Sequence, residues 1–228
     1  MPHAYFVTGT DTEIGKTTIA AGLLHAARLR GLSTAAAKPV ASGCVMTAQG
    51  LRNDDALALL GECSLPLRYE EVNPLAFAPA IAPHLAAREA GVTLDVATLQ
   101  KAVEAILERG ADFTLVEGAG GWRVPLAGQQ TLSDLPVALN LPVILVVGVR
   151  LGCINHAVLS AEAIARDGLH LAGWVANIVD ADTSRLADNL ATLGERLPAP
   201  CLGQVPWLKQ ATPAAVAKHL YLDGLSLS

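Results

Sequence analysis

Short apolar runs recur along the chain at residues 5–8, 33–37, 113–116, 143–147, 172–176 and 201–204, each rich in β-branched or aliphatic residues. Their unbroken apolar character predicts strands buried on both faces. Between them, helical patterns run over residues 16–30, 54–61, 94–109, 155–166 and 183–197; in the first, Ile19, Leu23, Leu24 and Ala27 recur at helical spacing. Alternating strands and helices predict an α/β fold with a mostly parallel sheet covered by helices on both faces. Ligands in such sheets collect at the carboxyl ends of the strands. The residues that follow each predicted strand therefore carry the functional reading.

The first strand runs into Gly9-Thr10-Asp11-Thr12-Glu13-Ile14-Gly15-Lys16-Thr17. Glycines let the backbone curl with its N–H groups inward, Lys16 supplies positive charge for a β/γ-phosphate, and Thr17 offers a hydroxyl to Mg²⁺. The loop opens a helix whose N-terminal dipole also favours an anion. The spacing departs from Gly-x-x-x-x-Gly-Lys-Ser/Thr in one place, since Thr10 stands where the first glycine would be and Gly9 lies one residue earlier. A bare strand-to-helix turn needs neither Lys nor Thr at those offsets, so a nucleotide is the expected ligand and the fold is expected to be of the P-loop NTPase type.

After the second strand comes Lys38-Pro39-Val40-Ala41-Ser42-Gly43, which places Lys38 and Ser42 at the ligand edge. Surface lysines are common, so this segment alone leaves the role of Lys38 open. Asn53-Asp54-Asp55 starts a helix, where Asp is an ordinary N-cap, and at least one of the two aspartates is expected to serve as one. The strand at 113–116 ends in Glu117-Gly118-Ala119-Gly120-Gly121, a carboxylate followed by a loop almost free of side chains. Glu117 is expected beside the phosphate loop, where it and Thr17 suit a Mg²⁺ ion bridging phosphates, with Asp55 a further candidate. The stretch 149–156 offers a second possible anion site at a helix start. Asn177 closes the fifth strand in Asn177-Ile178-Val179-Asp180, where Ile178 replaces the lysine of the guanine-reading Asn-Lys-x-Asp motif and weakens a GTPase reading.

Composition removes several classes of function. A chain of 228 residues, with no internal repeat or low-complexity linker, is expected to form one domain over residues 1–228. Hydrophobic residues make up 52% but aromatics only 4%, so the core is built from small aliphatic side chains. A net charge of −5 without a Lys/Arg run argues against nucleic acid as a partner. The apolar run at 141–147 is far too short to span a membrane and no signal-peptide pattern is evident, so a soluble cytoplasmic protein is expected. Cys44, Cys63, Cys153 and Cys201 are scattered without a Cys-x-x-Cys pair, which favours reduced thiols over zinc or disulfides.

Taken in order, the motifs Gly9-Thr10-Asp11-Thr12-x-x-Gly15-Lys16-Thr17, Lys38-Pro39-Val40-x-Ser42-Gly43, Val116-Glu117-Gly118-Ala119-Gly120-Gly121 and Leu151-Gly152-Cys153-Ile154-Asn155-His156 resemble those of the dethiobiotin synthetases of biotin biosynthesis. The likeness extends over about residues 5–208. It implies a homodimeric ATP- and Mg²⁺-dependent ligase that joins CO₂ to 7,8-diaminononanoate and closes a cyclic urea. On that resemblance Glu13, Ile14, Gly15, Lys16, Thr17 and Thr18 form the phosphate cradle, and Thr17, Asp55 and Glu117 hold Mg²⁺. Lys38 and Lys16 carry catalysis, Thr12 and Ser42 touch the diamine or carbamate, and Glu117, Gly118, Ala119 and Gly120 line the nucleotide. Asn177, Pro206, Trp207 and Leu208 hold the adenine. Gly152, Cys153, Ile154 and Asn155 bind the distant carboxylate of the substrate, contributed by the second subunit. One departure is Ala82, which lies where related sequences often carry Ser.

Two other readings use the same kind of sheet. ATP-driven switches that position chromosomes, plasmids or division proteins usually carry an additional lysine early in the loop, whereas Gly9-Thr10-Asp11-Thr12 has none, and no amphipathic membrane-targeting tail follows Leu208. An amidotransferase-like synthetase of cobalamin precursors would need a glutaminase domain, for which 228 residues leave no room.

Overall fold

The computed structural model describes residues 3–225. In chain order the elements are β1 (His3–Gly9), α1 (Lys16–Leu29), β2 (Thr34–Ala37), β3 (Val40–Ala41), β4 (Val45–Thr47), β5 (Gly50–Arg52), α2 (Asp54–Gly61), α3 (Tyr69–Val72) and β6 (Leu75–Ala76). There follow α4 (Pro83–Glu89), α5 (Val96–Leu107), β7 (Phe113–Glu117), α6 (Asp134–Ala138), β8 (Val143–Val149), α7 (Cys153–Arg166), β9 (Leu171–Ile178), α8 (Leu186–Arg196), β10 (Cys201–Val205) and α9 (Pro213–Ala217), with a 3₁₀ turn at Leu222–Gly224.

Six strands form one sheet in the order β10-β9-β8-β1-β7-β2, and every pairing in it is parallel. These are the six strands expected from the apolar runs, with no end shifted by more than two residues. Alternate side chains serve opposite faces, as the pleat demands. Tyr5 and Val7 pack with Ile19, Leu23 and Leu24 of α1 and Val216 of α9, whereas Phe6 between them packs on the layer that includes α5 and α7. No helix among the described residues is long and apolar enough to cross a membrane.

The differences from the expected elements have local causes. The helix expected from residue 94 begins at Val96 because the Asp95 carboxylate accepts the Thr98 N–H at 2.8 Å and caps it. The helix expected from 155 begins at Cys153, with Gly152 at φ 93° as its N-cap. The helix expected from 183 begins at Leu186, after Arg185 takes a left-handed conformation at φ 54°. The antiparallel β4–β5 hairpin, the parallel β3–β6 pair and helices α3, α4, α6 and α9 were not expected. Each has seven residues or fewer, too short to display a period.

β1 lies inside the sheet, between β7 and β8. The loop that leaves its carboxyl end therefore has neighbouring strand exits on both sides.

Candidate active site

The loop between β1 and α1 is seated before any ligand arrives. Ile14 is 1% exposed and packs into the α1 layer. A Cβ at Gly148 of β8 would stand 2.5 Å from Ile14 Cγ2, so that glycine is what lets the loop lie against the sheet. Gly15, at φ 80°, is the N-cap of α1, and no side chain caps that end. The helix thus presents uncapped N–H groups toward the loop. Asn177 at the end of β9 fixes the far side, its Nδ2 donating to the Ile14 carbonyl at 2.8 Å.

Lys16 lies under this loop, 7% exposed, with Nζ donating to the Asp11 carbonyl at 2.9 Å. Burial, followed by the neighbouring Lys38 charge, pushes its ammonium down to about 8. The Asp11 carboxylate accepts the Thr12 N–H at 2.8 Å and the Arg150 guanidinium at 2.6 Å, which ties the loop to the turn after β8.

Glu117 arrives beside the loop because Val7 and Glu117 are register partners in the β1–β7 pair. Its Oε1 accepts the Thr17 hydroxyl at 2.8 Å and the Lys38 ammonium at 2.6 Å. Lys38, 4% exposed, also donates to the Gly118 carbonyl at 3.0 Å and lies 3.4 Å from Asp55 Oδ2. Burial works against its charge, but the Glu117 and Asp55 carboxylates outweigh that and hold the ammonium above its ordinary value. Glu117 is 1% exposed, and its Oε2 is buried without a hydrogen-bond partner. A buried, unpartnered carboxylate oxygen is costly unless something binds it. Together with the Thr17 hydroxyl and Asp55 it makes an oxygen donor set suited to a hard divalent cation. Among the described residues no group of three or more His, Cys, Asp or Glu could hold a metal ion by itself, so a cation held here would draw further oxygens from phosphate or water.

These side chains surround a cavity of about 420 Å³. Of the residues proposed from sequence, Thr12, Glu13, Gly15, Lys16, Thr17, Thr18, Lys38, Ser42, Asp55, Glu117, Ala119 and Gly120 line it. A second depression of about 640 Å³ shares Thr12, Ser42 and Asp55 and continues past Ala80, Ile81, Ala82 and Pro83 to Arg123 and Val124.

The chain matches the model of the AAA domain family over residues 3–215. A Pseudomonas aeruginosa protein called ATP-dependent dethiobiotin synthetase is 77% identical over 224 residues, covering 98% of both chains. Relatives of the same name from Cellvibrio japonicus and Chromohalobacter salexigens are 59% and 56% identical, with at least 97% of every chain covered. The chain belongs to the ATP-dependent dethiobiotin synthetase family. Among solved structures, the MinD cell division protein of Aquifex aeolicus superposes with a TM-score of 0.56 at 15% identity, covering 95% of this chain and 92% of that one. A ParA family ATPase of Chlorobium tepidum gives 0.55 at 11%, covering 95% and 91%. These neighbours share the fold, while the identity lies with the dethiobiotin synthetases.

Several of the residues assigned from the dethiobiotin synthetase resemblance lie outside the cavity of their own chain. The turn at 152–155 is one, with Leu151 next to it 98% exposed. Within it the Cys153 side chain is 3% exposed and packs in the core, so any ligand contact there falls to its backbone. Pro206 and Trp207 border a separate depression of about 480 Å³, with Ile178, Leu186 and Leu190. Leu208 packs partly buried against the α1 layer. The expected aspartate cap also needs correcting. Asn53 caps α2, its side chain accepting the Ala56 N–H at 3.2 Å, which leaves Asp54 exposed and Asp55 free to face Lys38.

Sequence reasoning missed the residues behind the site. Gly148, Tyr69 and Asn73 sit in no motif, and Arg150 lies in the stretch 149–156 with no role expected of its side chain; the contacts of all four appear only when distant segments are brought together.

Proposed function

We propose that this chain is an ATP-dependent ligase that joins CO₂ to 7,8-diaminononanoate and closes the ureido ring of dethiobiotin, releasing ADP and phosphate. The observation that carries the reading is the buried Lys38–Glu117–Thr17 cluster at the mouth of the phosphate loop, in a chain of this family. One substrate amine captures CO₂ as a carbamate. A carbamate oxygen then attacks the γ-phosphorus of ATP, breaking its bond to the β–γ bridging oxygen and releasing ADP. The second amine attacks the carbonyl of the resulting carbamic–phosphoric anhydride and displaces phosphate, losing its proton as the ring closes.

No protein nucleophile is needed. The chain's work is to align carbamate and phosphate and to place charge where it develops in transfer. Lys16, drawn from its contact with the Asp11 carbonyl, faces the β/γ-phosphates, and the loop backbone from Glu13 to Thr18 cradles them. Lys38, anchored between Glu117 and Asp55, holds a full positive charge against the carbamate and the transferring group. Thr17, Asp55 and Glu117 would hold Mg²⁺, which when bound supplies charge to neutralise phosphate oxygens. Thr12 and Ser42 border both depressions, a placement suited to groups that touch the diamine or carbamate beside the nucleotide. Asn177, on the loop carbonyl, and the 206–208 segment are assigned to the purine end. The turn at 152–155 lines no part of its own cavity, which fits a homodimer in which it reaches the substrate carboxylate of a second copy. We assign residues 1–228 to one ligase domain acting in the cytoplasm.

Phosphate release from Mg²⁺-ATP in bicarbonate buffer, with and without 7,8-diaminononanoate, tests the reading. Release that requires the diamine, with a product heavier by one carbonyl, is expected. Release indifferent to the diamine would reject it and favour an ATP-driven switch.

A further inference from the structure

Behind the cavity lies a polar pair that does not line it. Tyr69 and Asn73 stand one helical turn apart across α3, 7% and 2% exposed. The Tyr69 hydroxyl donates to Asn73 Oδ1 at 2.9 Å and accepts the Asn53 N–H at 2.8 Å. Asn73 Nδ2 donates to the Lys38 carbonyl at 2.6 Å and, more weakly, to the Leu75 carbonyl at 3.4 Å. The Val72 carbonyl accepts the Lys38 N–H at 2.8 Å, so both main-chain polar groups of Lys38 are held from α3 and its C-cap. At the other end, Asn53 is the cap of α2 and stands two residues before Asp55. The Arg52 guanidinium lies 4.1 Å over the Tyr69 ring and so fixes the ring's plane.

One hydroxyl and one amide therefore join the two segments that deliver Lys38 and Asp55, whose side chains meet at 3.4 Å. Burying two polar side chains costs stability unless both are paired, and an apolar pair could fill the same space. Here each is paired, and the bonds lead to the backbones of these two segments. We propose that Tyr69 and Asn73 are positioning residues for the reaction, setting the separation of Lys38 and Asp55 and hence where the Lys38 ammonium meets the transferring phosphoryl group. This inference rests on the role proposed above for Lys38.

Tyr69→Phe keeps the ring and its contact with Arg52 while removing the hydroxyl. In diamine-dependent phosphate release, its kcat should fall about tenfold, with the KM values for ATP and diamine within about twofold of wild type. Lys38→Ala, assayed alongside, should lose at least about a hundredfold. Thermal denaturation of both variants separates activity per folded molecule from loss of fold. A Tyr69→Phe enzyme with wild-type kcat, whatever its melting temperature, overturns the inference while leaving Lys38 in its role. A rise in KM alone overturns it as well. A Lys38→Ala enzyme that turns over at the wild-type rate overturns the inference together with the reading beneath it.

Discussion

Replacing Lys38 by methionine measures how far the charges of the site depend on one another. The Lys38 and Glu117 side chains are 5% and 0% exposed and meet at 2.6 Å. Methionine fills much of the same space but leaves the Glu117 carboxylate buried, with the Thr17 hydroxyl at 2.8 Å as its remaining partner. Removing one member of a buried ion pair costs about 3–5 kcal/mol. Because Asp55 beside it is 48% exposed, water has a route toward the site, and the lower end, about 3 kcal/mol, is expected. The double variant Lys38→Met/Glu117→Gln should recover most of that loss, since it leaves no buried carboxylate without its cation, and Asp55 is half exposed to water. Urea denaturation of the nucleotide-free protein reads the effect. With a slope of about 3 kcal/mol/M, the single variant's midpoint should fall by roughly 1 M. A midpoint within about 0.3 M of wild type, or a double variant no more stable than the single, would refute the reasoning, because the contact would then behave as a solvated one.

Three further outcomes are expected. Gly148→Ala places a Cβ 2.5 Å from Ile14 Cγ2 and displaces the phosphate loop, so titration calorimetry should find ATP bound at least about tenfold more weakly; an affinity within twofold would show that the loop can yield. Ala82 is the N-cap of α4 with no side-chain bond, so Ala82→Ser should add about 0.5–1 kcal/mol and raise the melting temperature by about 2 °C, whereas a lower melting temperature would count against an uncapped helix end. Burial pushes the Asp167 carboxyl up, but hydrogen bonds from Arg123 and Trp122 outweigh this and hold it below the usual aspartate value. Its contribution to stability is therefore present above about pH 4 and lost as the pH falls below it, so Asp167→Asn should flatten the acid limb of a stability profile; parallel limbs would exclude the effect.

The chemistry of the site was legible from sequence where it depends on residues next to a strand exit. Lys16 and Thr17 follow β1, Lys38 follows β2 and Glu117 ends β7, and parallel pairing brings those ends to one edge of the sheet. What could not be read depends on a helical frame or on distant segments. Asn53, Asp54 and Asp55 are all competent caps, and the frame of α2 decides that Asn53 serves, which turns Asp55 toward Lys38. Tyr69 and Asn73 lie more than thirty residues from Lys38, in a helix of four residues that has no readable period. Cys153 sat within a motif, but its side chain belongs to the core under the turn.

The burial of Ile14 bears on which nucleotides the site admits. A loop already anchored on Gly148 and Asn177 has little left to order when a phosphate chain enters, so the affinity gained there is not offset by a loss of loop entropy. Every nucleoside triphosphate carries the same phosphate chain and would draw equally on that share. On the assignment proposed above for residues 206–208, choice among bases falls to a segment in which Trp207 is 56% exposed. On that assignment, a stiff cradle beside so exposed a segment implies an enzyme that grips the tail of its nucleotide and is lenient about the head.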